Sequence, residues 1–304
     1  MYITIFILAS CSLQPCAMSF RIISVVSFSL LGVFVFSEIF FMNLHYINNH
    51  SFMALVLLAI AFLLFSPFRI EWMQALFISF LVLLSSMTRM EGFLYSFMLI
   101  VMGVFSRKDR EEGLLVLSLS LLLSIPYIIF LTYTFWQSGF ILGWQYLFML
   151  SGGVLALLIY TTSLKGYFIA PRIHIIVLIG LSFLFLIFTA IKPNHMLPSF
   201  VAFIYNMGNP SIWGFSIITS IILTIIIITI RYNGKQYWIH TDALLVWFLS
   251  AVLLTLIITM FRSPLRMGMF DSANRMLFHF VPILIVWVGV EIARALRPIH
   301  YARS

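Results

Sequence analysis

The chain has 304 residues, 63% of them hydrophobic and only 9% charged, where ordinary soluble domains carry about 25% charge; its mean hydropathy is +1.13. No water-soluble core hides that much apolar surface, and runs such as 221–230, IILTIIIITI, lack the alternation of a membrane barrel strand, so the composition predicts an all-α, polytopic transmembrane helical bundle with no soluble domain. The net charge of +8 comes from 17 Lys and Arg scattered through short connections, which marks membrane topology rather than a nucleic-acid partner.

At the N-terminus, Leu8-Ala9-Ser10-Cys11 has the outline of a lipoprotein cleavage box. No cation precedes Arg21, however, and only ten residues precede Cys11, so the stretch reads instead as a frayed or shortened first segment. Apolar runs then predict ten spans, near residues 22–42, 52–66, 71–87, 92–106, 113–134, 141–162, 173–191, 212–230, 243–261 and 277–293. They approach the length that a hydrocarbon core about 30 Å thick requires, and the shorter ones need tilting or burial within the bundle. Residues 1–304 therefore read as one transmembrane domain.

Cations fall in alternate connections. Arg107, Lys108 and Arg110, then Lys165 and Arg172, then Arg231 and Lys235, and finally Arg294, Arg297 and Arg303 mark one side, which the retention of positive charge identifies as cytoplasmic, with the C-terminus there. Residues 135–140 carry no charge, and the long connection 192–211 carries only Lys192. One outer connection breaks the rule: 262–276, FRSPLRMGMFDSANR, holds Arg262, Arg266 and Arg275. Arginine grips phosphate through two donors and stays charged when partly desolvated, so an anion site is one reading. Anchoring to lipid head groups, with Asp271 neutralising Arg275 four residues on, is the other.

A second polar element, Thr88-Arg89-Met90-Glu91-Gly92, lies between two apolar spans on the same outer side. A guanidinium at the centre of a membrane helix costs about 2.5–3.5 kcal/mol, so Arg89 belongs at a helix end, where it either joins the outer arginines in one polar cleft or is neutralised by Glu91.

These two segments carry a family likeness. SSMTRMEGFLYSFML resembles the "LTRPEGLL" segment of polytopic membrane glycosyltransferases of the GT-C superfamily. DSANRMLFHFVPILIV, with Arg275, His279 and Pro282, resembles their late segment. The resemblance loosely covers residues 22–293 and implies transfer of a sugar from a polyprenyl-phosphate carrier to an acceptor on the outer face of a bacterial cytoplasmic membrane. It implies that Arg275, with Arg89, Arg262 and Arg266, holds the donor phosphate, whose negative charge grows as the sugar departs. His279, one turn after Arg275 on the same face, then orients the phosphate, unless it is simply a packed helix residue.

The superfamily usually carries an acidic residue in the first large outer loop, and no matching residue precedes Glu38. The resemblance thus implies an N-terminally shortened member, a base from elsewhere, or a membrane partner that supplies the missing region. A base must reach the acceptor hydroxyl in its ionised form, and the outer-side acids are Glu38, Glu91 and Asp271. No Gly-rich phosphate loop occurs, and the seven His and two Cys show no close metal-ligand spacing; no cofactor is expected, with a divalent metal left open. Membrane lipids and a polyprenyl-phosphate-linked sugar are the expected partners. Two rival functions remain: a transporter or flippase for a lipid-linked anion, in which Pro126 would break a helix, and an inactive membrane assembly partner.

Overall fold

The structure is a computed structural model that describes residues 49–65, 69–88, 91–106, 110–137, 173–213, 215–233, 242–259, 265–268 and 272–295. Among these residues every regular element is a helix: α1 Asn49–Phe65, α2 Trp72–Thr88, α3 Gly92–Ser106, α4 Arg110–Gln137, α5 Ile173–Ile191, α6 Pro193–Gly208, α7 Pro210–Trp213, α8 Ser216–Asn233, α9 Asp242–Thr259 and α10 Ser272–Ala295. Eight of the predicted spans fall on α1–α5 and α8–α10, while those at 22–42 and 141–162 lie outside the described residues, as do Cys11 and Cys16. Among the described residues three stretches are long and apolar enough to cross a bilayer, Glu111–Thr134, His174–Ile191 and Asn274–Ile292; the other apolar helices there are shorter.

The chain divides into two compact units, Leu55–Ile179 and Met1–Ala54 with Gly180–Ser304. In the first, α2, α3 and α4 pack on one another, and small polar side chains sit where they meet. Ser79 and Ser120 join α2 to α4, with their hydroxyls 3.1 Å apart, and Ser85 and Ser96 join α2 to α3 at 2.8 Å. Serines of this kind let backbones approach and satisfy each other without water. Gly103 has the same role for α3 against α1, since a methyl there would lie 3.1 Å from Leu64 Cβ. Pro126 does not break α4, which runs unbroken from Arg110 to Gln137; the proline removes one backbone hydrogen bond, and packing on α2 carries the helix past it.

In the second unit α10 is the central element, packed by α6, α8 and α9. Phe278, Phe280, Ile283, Ile285, Trp287 and Val288 point around the whole circumference and are all buried, the pattern of a helix enclosed on every side. Trp247 of α9 meets Phe280 edge to face, with centroids 5.7 Å apart. The stretch 192–211, which reads as a connection, is mostly helix α6. Pro193 fits its first turn, where no backbone donor is needed, and its buried face holds Met196, Ser199, Ala202, Phe203 and Asn206. The opposite face exposes Leu197, Val201, Ile204 and Tyr205, so α6 is largely apolar on both faces, with Ser199 and Asn206 set into the buried one. The next connection is capped by Asn209, whose Oδ1 accepts from the Ser211 N–H at 3.0 Å.

Candidate anion-binding site

Among the arginines of 262–276, Arg266 and Arg275 are described, and residues 265–268 are held by buried side chains. Ser199 Oγ accepts the Leu265 N–H at 3.1 Å. Asn206 works twice, donating from Nδ2 to the Arg266 carbonyl and accepting the Gly268 N–H at Oδ1, both at 2.9 Å. Asn274, in the first turn of α10, donates to the Gly268 carbonyl at 2.6 Å. Ser199, Asn206 and Asn274 are all fully buried. Gly268 takes φ +122°, a region that side chains other than hydrogen rarely permit. The two polar residues on the buried face of α6, Ser199 and Asn206, are thus occupied in fixing residues 265–268.

The result is a rigid ledge at the start of α10, with the Arg266 side chain exposed and Arg275 half-buried one turn into the helix. Arg275 Nε is shielded from solvent and has no hydrogen-bond partner. A buried guanidinium donor left open is costly unless an acceptor arrives, and the positive end of the α10 dipole adds to its pull on an anion. Replacing Asn206 with alanine strands the Gly268 N–H and the Arg266 carbonyl, and each buried group left unpaired costs about 1–3 kcal/mol. The Asn206→Ala protein should therefore melt well below wild type in detergent, by calorimetry or tryptophan fluorescence.

His279 lies one turn beyond Arg275. It has a partner that the sequence did not suggest: His50 Nδ1 is 2.8 Å from His279 Nε2, and the rings stack with centroids 4.9 Å apart and 22° between planes. Both are buried, at 1% and 0% exposure. The hydrogen bond spans 229 residues of sequence, which is why spacing alone gave no signal for it.

Glu91 sits in the turn before α3, only 4% exposed, and its carbonyl accepts the Tyr95 N–H at 3.2 Å; it belongs to the Leu55–Ile179 unit. Glu38, Arg89, Arg262 and Asp271 lie outside the described residues. Among the described residues no three His, Cys, Asp or Glu side chains gather as metal ligands.

At the far end of α10 lies a second polar centre, of which the sequence reading noted only Arg231, as a cation of the cytoplasmic side. Arg231, at the end of α8, donates to both carboxylate oxygens of Asp242, in the first turn of α9, at 2.5 and 2.8 Å. It also reaches Glu291 of α10 at 3.3 Å. The three side chains are 10%, 1% and 2% exposed. The available cue was Glu291 inside an apolar run, where an unpartnered carboxylate is expensive. Comparison with protein-family models, with curated proteins and with solved structures finds no match to this chain.

Proposed function

We propose that the chain is a polytopic membrane glycosyltransferase of the GT-C kind, which takes a sugar from a polyprenyl-phosphate carrier at the outer face of a bacterial cytoplasmic membrane. The observation that carries this reading is Arg275. Its Nε is buried without an acceptor, beside a connection pinned at four backbone groups, and it stands in the segment that resembles the superfamily's late motif. Pinning matters because donors that are already in place when charge develops on the departing phosphate lose nothing to reorganisation. Arg266, and Arg262 with it, supply further positive charge for the same phosphate.

Placement in a bilayer is supported by α5. Nothing in its apolar stretch His174–Ile191 is buried, and Ile179, Phe183 and Leu186 are 62–64% exposed. Leaving such side chains in water forfeits about 1.5–3 kcal/mol each, whereas lipid accepts them. The two polar centres of α10 also suit a membrane with its C-terminus cytoplasmic. Arg275 and Glu291 are sixteen residues apart, or about 24 Å along the helix, close to the thickness of a hydrocarbon core.

Phe183→Arg tests the membrane placement. Arginine at mid-span costs about 2.5–3.5 kcal/mol on insertion, so this variant should leave the alkali-resistant membrane fraction while Phe183→Leu stays; equal retention of both sinks the assignment. The function is tested by transfer from a polyprenyl-phosphate sugar, and by binding of polyprenyl phosphate itself, with Arg275→Ala in the full chain. Wild-type binding and transfer by that variant would overturn the reading.

A further inference from the structure

We propose that the exposed face of α6 carries the hydrocarbon chain of the lipid phosphate whose head reaches Arg275. This rests on the reading given above, and it adds the surface that selects a phosphate borne on a polyprenyl chain over one that is free. Leu197, Phe200, Val201, Ile204 and Tyr205 recur at the spacing of one helix face, and each is 39–53% exposed. They form a strip about 12 Å long from Leu197 to Tyr205. No residue of α6 is Asp, Glu, Lys or Arg, so nothing charged in the helix interrupts the strip.

The strip ends beside the anion site. Gly268 links the two, because its N–H donates to Asn206 Oδ1 at 2.9 Å and its carbonyl accepts from Asn274 Nδ2 at 2.6 Å. Asn206 follows Tyr205 in α6, and Asn274 precedes Arg275 in α10, so a single glycine is gripped both from the end of the apolar strip and from the turn that holds the arginine. Met267, 58% exposed next to Arg266, adds apolar surface at the join. This juxtaposition matches an amphiphile with an anionic head. Arg275 Nε is shielded from solvent without a hydrogen-bond partner, which favours the arrival of an acceptor, and Arg266 supplies further positive charge. Lys192 and the ledge both belong to the outer boundary in the proposed topology, so α6 begins and ends there and its strip borders the outer leaflet. A chain that lies along the strip stays among apolar groups while its phosphate rests on the ledge, and neither end of the lipid is forced into the wrong solvent.

The test uses the purified full chain in nanodiscs and a polyprenyl phosphate with a photoactivatable diazirine near the head end of its chain. Peptide mapping should find the label on Pro193–Gly208 at several-fold the level on His174–Ile191, an apolar stretch with nothing buried that measures random contact with the bilayer. Excess unlabelled polyprenyl phosphate should abolish that difference, and uncharged polyprenol should leave it. Label on α6 no higher than on α5, or equally removed by polyprenol, overturns the inference, and phosphatidic acid that competes as well as polyprenyl phosphate overturns the polyprenyl assignment. In the Val201→Asn/Ile204→Asn protein a bound chain covers two amides that water reaches in its absence, so affinity for polyprenyl phosphate should fall about tenfold while that for inorganic phosphate is unchanged. Equal loss for both ligands, or loss for neither, overturns the inference; should that variant not fold, labelling of the wild type decides. The two readings fail separately: Arg275→Ala that still binds both phosphates removes the proposed function, whereas loss of binding there with no excess label on α6 removes only the chain-bearing face.

Discussion

Arg231→Ala should be among the most destabilising single substitutions in the chain, by about 3–5 kcal/mol, the range seen when one partner of a buried ion pair is removed. The magnitude follows from what remains. Asp242 and Glu291 are 1% and 2% exposed, so each stays shielded from water after losing the guanidinium that faces it. Arg231→Lys should recover only part of the loss, because an ammonium is a single compact charge and cannot reproduce the planar fork that meets both oxygens of Asp242. Replacing all three residues with apolar side chains of similar volume should be much milder than the single alanine, as removing a whole buried network often is. Thermal unfolding in detergent, followed by size-exclusion profiles, measures all three. A wild-type melting temperature for Arg231→Ala would show that the cluster contributes nothing.

Arg275→Ala should lower transfer from a polyprenyl-phosphate sugar by about a hundredfold to a thousandfold, the usual effect of deleting one prearranged donor to a developing oxyanion. The loss should fall mainly on kcat, since the charge on the phosphate is greatest as the sugar leaves. Stability should change far less than in Arg231→Ala, because Arg275 Nε has no hydrogen-bond partner to lose. That pairing of a large kinetic effect with a small thermal one separates a binding role from a packing role. Arg275→Lys retains charge without the fork and should lie between the two. If transfer by the alanine variant were undiminished, the site would have to be sought elsewhere.

The helices were legible because an apolar run long enough to be a membrane span leaves few alternatives to a helix. Helix α6 was not, because both of its faces carry apolar residues, with Ser199 and Asn206 buried among Met196, Ala202 and Phe203, and Pro193, Pro198 and Asn194 gave it the look of a connection. Pro126 misled in the other direction, since a proline's missing donor is a local cost that neighbouring helices outweigh. For the candidate site, Arg266 and Arg275 were readable as cations placed against the topology bias, and His279 through the resemblance of its segment. What surrounds them was not. Serine and asparagine that bind backbone, a histidine partner 229 residues away and an arginine joined to acids eleven and sixty residues on are products of folding, and no local spacing announces them.

The contrast between α5 and α10 bears on how freely each can change. Residues of α10 are enclosed on every side, so a substitution there must reproduce a volume and an outline, and drift is confined to near-isosteres. Among the described residues the apolar stretch of α5 is enclosed nowhere to the same degree. Leucine, isoleucine, valine and phenylalanine are interchangeable along most of its length, and what inheritance must preserve is a count of turns and an oily character. One helix stores shape; the other stores little more than an apolar surface.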